Sequence, residues 1–140
     1  MHLLDTNIVT ALYAGNELVI RRLRDLDDPQ VGITIVTKAE LLRGRIDYLL
    51  KATDGEALLR DQSLLVQTEQ LLNDLRVVPF ERTAIAQFER LKAQKSLRKM
   101  GRSDLLISSI TLANQATLVT RNLKDFQRVP NLKLVNWLDS

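Results

Sequence analysis

Five apolar runs of four or five residues recur along this chain, with helix-like stretches between them. They occupy residues 1–5, 31–35, 77–80, 116–120 and 132–135. The intervening segments repeat apolar residues at helical spacing. They cover residues 8–14 and 17–26, broken near Gly15-Asn16, then 37–50, 56–75, 83–99 and 103–115. A short turn of helix is expected over 122–126. Strands joined through helices cannot pair as hairpins. They pair in parallel, through right-handed crossovers that lay helices on both faces of the sheet. The pattern therefore predicts an α/β three-layer sandwich with a central five-stranded parallel sheet flanked by helices. A chain of 140 residues suits one domain, spanning 1–140.

Composition removes several chemistries. There is no cysteine, so no disulfide framework and no thiolate metal site. A single histidine, His2, excludes any site that needs two imidazoles. No apolar run approaches the ~20 residues that span a bilayer. The N-terminal residues lack a secretory pattern, so a cytoplasmic location is the expectation. Twenty Lys and Arg against 17 Asp and Glu leave a net charge of +3, which mildly favours an anionic partner.

The acids fall at telling places. Asp5 closes the first run, at the edge of a parallel sheet where ligands bind. Glu40 lies near the start of the helix after strand two. Asp104 opens the helix that leads into strand four, and Asn122 and Asp125 follow that strand. Asp104 precedes its strand, so it reaches the same edge only if its helix starts there. Carboxylates gathered in one cleft repel one another and call for a cation. An oxygen-only donor set selects a hard ion, Mg²⁺, with Mn²⁺ as its substitute. Such an ion suits phosphodiester hydrolysis, because it polarises the phosphoryl oxygen, activates water and steadies the leaving oxygen. Each residue also has a plain structural use. Asp5-Thr6-Asn7 can cap a helix. Thr37-Lys38-Ala39-Glu40 matches a capping box. An acid at Asp104 suits a helix dipole, and Asn122 and Asp125 suit a turn and a solvated surface.

Four segments taken in order resemble the motifs of PIN domains, and most closely the VapC toxins of bacterial toxin–antitoxin pairs. They are Leu3-Leu4-Asp5-Thr6-Asn7, Thr37 to Gly44, Asp104 to Ser109, and Leu118 to Phe126. The resemblance covers essentially the whole chain. It implies a Mg²⁺-dependent endoribonuclease, a hydrolase of RNA phosphodiester bonds, held inactive by a cognate antitoxin and forming a homodimer. Asp5, Glu40 and Asp104 match the family's three firmest acids. By that match Asp5 and Asp104 are direct metal ligands, and Glu40 acts through water. The fourth acid falls at Asn122, an amide here, and Asp125 three residues on can supply the missing charge. Thr6, Asn7 and Thr120 would then support the site.

Arg90, Lys92, Lys95, Arg98, Lys99 and Arg102 crowd the stretch before Asp104. A solvated helix face is the plain reading. Beside a catalytic acid the same charges, Arg98, Lys99 and Arg102 above all, would steer RNA to the metal. Six aromatic side chains are too few for a base-stacking platform. Trp137 is expected to pack in the core. The leucine-rich segments 8–26 and 56–75 are core-forming and leave room for an apolar groove that fits an antitoxin helix. Two rivals remain: a catalytically silent PIN-like module that only binds RNA or protein, and a haloacid-dehalogenase-type phosphatase. The latter needs an Asp where this chain has Asn7.

Overall fold

The computed structural model describes residues 1–139. Strands β1 (His2–Leu4), β2 (Val31–Thr34), β3 (Arg76–Val78), β4 (Thr117–Val119) and β5 (Lys133–Val135) form one sheet in the order β3-β2-β1-β4-β5. Every neighbouring pair is parallel. The helices are α1 (Thr6–Tyr13), α2 (Glu17–Asp25), α3 (Ile35–Lys51), α4 (Gly55–Asn73), α5 (Arg82–Lys92), α6 (Arg102–Ala113) and α7 (Leu123–Phe126). A 3₁₀ turn occupies Lys95–Leu97. The three-layer sandwich read from the alternation is the observed fold.

Strand alternation builds a core on each face of the sheet. Leu3 pairs with Leu118, and Leu4 with Val119. Leu3 and Leu118 join Val78, Ile107, Ile110 and Phe126 on one side. Leu4, Val119 and Ile33 join Ile8, Val9, Val19, Leu72 and Trp137 on the other. Trp137 is buried there, as expected. His2 stacks near its ring at 6.3 Å and places Nδ1 2.6 Å from the Asp28 carboxylate. The only imidazole is thus used at the amino edge of the sheet.

Local chemistry starts the helices. Asp5, Asn16, Thr34 and Asp54 each accept a hydrogen bond from an otherwise orphan backbone N–H of the first turn. Gly15, at a φ of +82°, turns the chain between α1 and α2. Two expectations change. Helix α3 starts at Ile35, not Thr37, and its cap is Thr34, whose Oγ1 accepts from the Thr37 N–H at 3.1 Å. Ile35 and Val36 are β-branched and look like strand in sequence, yet they form the first turn of α3. Glu40 therefore lies in the second turn and closes no capping box. The continuous helix expected over 83–99 is also broken. Helix α5 ends at Lys92, and Gln94 is extended before the 3₁₀ turn.

Close strand approach depends on Gly32. A Cβ there would fall well inside contact distance of the Arg76 carbonyl oxygen on β3. Gly32→Ala must therefore part β2 from β3, and it is expected to cost about 1–3 kcal/mol. Urea unfolding should show a lower midpoint at unchanged slope.

Candidate active site

The carboxyl edge of β1 and β4 is the foundation of the site. Beyond the last paired residues, the Asp5 N–H donates to the Val119 carbonyl at 2.8 Å, and the Thr120 N–H donates to the Val135 carbonyl at 2.9 Å. These bonds set Asp5 and Thr120 side by side. Asp5 is buried, with 7% of its surface exposed. Its Oδ1 accepts from the Thr6 N–H at 2.8 Å, and its Oδ2 accepts from the Thr120 hydroxyl at 2.8 Å. The Thr120 oxygen in turn accepts from the Asn122 N–H at 3.0 Å. The Asn122 side-chain amide donates to Asp125 Oδ2 at 3.0 Å. A single chain of hydrogen bonds thus runs from Asp5 to Asp125.

Glu40 comes from α3, where the Thr6 hydroxyl donates to its Oε1 at 3.3 Å. Thr6 therefore links the first and second motifs. Asn7 accepts the Arg121 N–H at 3.2 Å on Oδ1, which ties α1 to the loop after β4. Asn7 is a clamp on the site's margin and not part of the acidic ring.

Asp104 sits in the first turn of α6. That helix starts beside Asp5 and ends where the Thr117 N–H meets the Met1 carbonyl, at the opposite edge. It therefore runs antiparallel to the strands, which brings Asp104 to the carboxyl edge. The carboxyl of Asp104 is pushed up to about 6. Burial is the largest cause, followed by the charges of Asp5, Glu40 and Asp125. The charges of Asp5, Glu40 and Asp125 thus all bear on Asp104.

The donor atoms are all oxygen, and the sign of their crowding is the raised carboxyl of Asp104, held up by burial first and by its acidic neighbours next. Among the described residues no three acids or imidazoles converge closely enough to hold one ion directly. Such a donor set is compatible with a hard cation that takes one or two carboxylates and keeps waters in its remaining positions.

The basic run before Asp104 divides into two kinds. Lys92 and Arg102 stand over the Phe88 ring, at 5.4 and 5.5 Å from its centre. Lys99 instead lines a small cavity with Asp104, Asp125 and Arg128. Arg98 is exposed and lies outside that cavity. Arg128 was not marked out by the sequence, because nothing in its spacing ties it to Asp104.

Comparison with known proteins agrees with this layout. The PIN domain family model matches residues 2–132. "Ribonuclease VapC2" of Rickettsia felis is 32% identical over 98% of each chain. "Ribonuclease VapC1" of Haemophilus influenzae is 28% identical over 98% of each chain. Among solved structures, VapBC2 from Rickettsia felis bound to a DNA fragment from their promoter contains a chain that superposes with a TM-score of 0.75. That chain is 30% identical, and the match covers 97% of this chain and 98% of the other.

Proposed function

We propose that this chain, which belongs to the PIN-domain family, is a metal-dependent endoribonuclease and the toxin of a toxin–antitoxin pair. The observation that carries the chemistry is Asp104, whose carboxyl is pushed up to about 6 by burial and by Asp5, Glu40 and Asp125. A cleft of that charge is built for a dication. Asp5 and Asp104 would hold it directly, and Glu40 would act through water. Mg²⁺ is the assigned ion, with Mn²⁺ able to replace it. When bound it supplies Lewis-acid stabilisation to a phosphoryl oxygen and to the attacking and leaving oxygens.

The remaining work belongs to the chain. Thr120 holds Asp5 by its hydroxyl, and Thr6 holds Glu40, so both carboxylates keep one orientation. Asn122 spends its amide on Asp125 and presents that carboxylate to the cleft. Asp125 thereby completes the acidic site in place of the amide at Asn122.

Protein partners are assigned to apolar surface. A groove of about 220 Å³ between α1, α3 and α4 is lined by Thr10, Tyr13, Leu41, Leu64 and Leu71. Its leucines, edged by Arg45, Gln67 and Thr68, suit contact with the apolar face of an antitoxin helix. Tyr48, Leu50, Leu58 and Leu59 stand exposed where α3 passes into α4, a surface suited to contact with antitoxin or with a second copy in a homodimer. No helix among the described residues is long and apolar enough to cross a membrane, and the cytoplasm is the assigned place of action.

The test is growth. Induction of the wild-type chain alone in bacteria is expected to arrest growth, and co-expression of a cognate antitoxin to restore it. Growth equal to that of an empty vector, with the soluble protein abundant, would remove the toxin assignment.

A further inference from the structure

A cavity of about 70 Å³ opens directly beside the acidic cluster, lined by Lys99, Met100, Gly101, Asp104, Asp125 and Arg128. Two acids and two cations share this wall, yet neither cation is paired with either acid. Among the described residues the ion pairs are those of Asp28, Arg60 with Asp61, and Lys92 with Glu89. A cation at the edge of an acidic cluster would ordinarily relax onto it. Lys99 and Arg128 line the cavity without such a pair.

The two cations are also well mounted. Lys99 lies two residues after Leu97, which is 2% exposed, and Arg128 lies between the buried Phe126 and Val129. Leu97 and Val129 pack in the same small cluster with Leu91. The backbones carrying the two charges are therefore anchored to one another through the core, although the side chains reach solvent. Lys92 and Arg102, the other cations of the region, are held over Phe88. Lys99 and Arg128 are left to face an incoming anion.

We propose that Lys99 and Arg128 form a phosphate subsite, which seats an RNA phosphate next to the one being cleaved and so sets the register of the strand. The acids of the cavity would take the metal, and its two cations the neighbouring phosphate. Arg can bind two phosphate oxygens at once, and Lys adds a point charge. Contacts of this type position a nucleic acid and carry no base information. The subsite thus governs how RNA is seated, and Lys99 and Arg128 are positioning residues.

The subsite takes its substrate class from the nuclease reading, so the test separates the two. Fluorescence anisotropy of a labelled oligoribonucleotide is measured in EDTA across a salt series, where no cleavage enters. Lys99→Gln and Arg128→Gln are each expected to weaken binding about fivefold and to reduce the salt slope by about 0.7. Arg128→Lys should retain most of the affinity. Arg24→Gln, an exposed change on α2, serves as the control and should match the wild type. In cleavage assays with Mg²⁺ the two Gln variants should raise KM about fivefold and hold kcat within about twofold. Unchanged affinity and slope in both Gln variants would overturn the subsite, as would equal losses in Arg24→Gln. So would an effect seen only on antitoxin binding. A wild type that binds RNA through these residues and never cuts it would end the nuclease reading and leave the subsite standing.

Discussion

Asp5→Asn is expected to lower RNA cleavage by the purified protein roughly a thousandfold, which is about 4 kcal/mol of transition-state stabilisation. Asp5 is the acid with the least freedom. Both of its oxygens are already held, one by the Thr6 N–H and one by the Thr120 hydroxyl. An asparagine of the same shape removes the charge that attracts the metal. It also sets an NH₂ donor against Thr120 if its carbonyl stays on Thr6. The Thr120 oxygen already accepts from Asn122, so the hydrogen-bond chain to Asp125 must rearrange. A cleavage time course on a fluorescent RNA measures the loss, and circular dichroism shows the fold retained. Activity within tenfold of the wild type would remove Asp5 from the metal site.

Asp104→Asn should act on stability and on activity with opposite signs. The carboxyl titrates at about 6 in the fold and at ~3.9 in an unfolded chain. Unfolding therefore releases a proton between these values, and the metal-free protein loses stability as pH rises from about 4 to about 6. Above that window the wild type carries the whole penalty. Two pH units correspond to about 3 kcal/mol at most, and partial solvent screening reduces this to about 1–2 kcal/mol. The Asn variant has no such charge, so at neutral pH without metal its Tm should be about 3–8 °C higher than that of the wild type. Mg²⁺ should raise the Tm of the wild type and leave that of the variant nearly unchanged. Cleavage should be lost with the metal response. Scanning fluorimetry with and without Mg²⁺, at pH 5 and pH 7.5, reads all of these terms. A variant less stable than the wild type at neutral pH would mean that the charge on Asp104 is paired, not crowded.

Much of this was legible from residue pattern because the physics is local. Leu3-Leu4 and Leu118-Val119 are apolar pairs whose faces alternate, and they form the central strands. Asp5 follows one pair and Thr120 the other, so two strand ends in sequence became two neighbours in space. The closeness of Asn122 and Asp125 was legible in their three-residue spacing, which one turn of helix closes into a hydrogen bond.

The start of α3 was not legible, because Thr37-Lys38-Ala39-Glu40 and Thr34-Ile35-Val36-Thr37 both place a threonine three residues before a partner. β-branched Ile35 and Val36 favoured strand, and the Thr34 cap starts the helix before them even though Ile35 stays exposed. The shift moves Glu40 into the second turn and deprives it of a capping role, so its hydrogen bond with Thr6 is the interaction left to explain it. The placement of Asp104 needed the path of α5, the 3₁₀ turn and α6, which no local period encodes. Arg128 lies 24 residues beyond Asp104 in sequence and meets it only through the packing of Phe126 and Val129.

The most direct measurement is cleavage of a fluorescent RNA by the purified wild-type chain in three conditions: Mg²⁺ alone, excess EDTA, and EDTA followed by excess Mg²⁺. The acidic cleft predicts cutting in the first, none in the second and recovery in the third. Cutting that persists in EDTA, or no cutting by folded protein in Mg²⁺ or Mn²⁺, would contradict a metal-dependent ribonuclease built on Asp5, Glu40, Asp104 and Asp125.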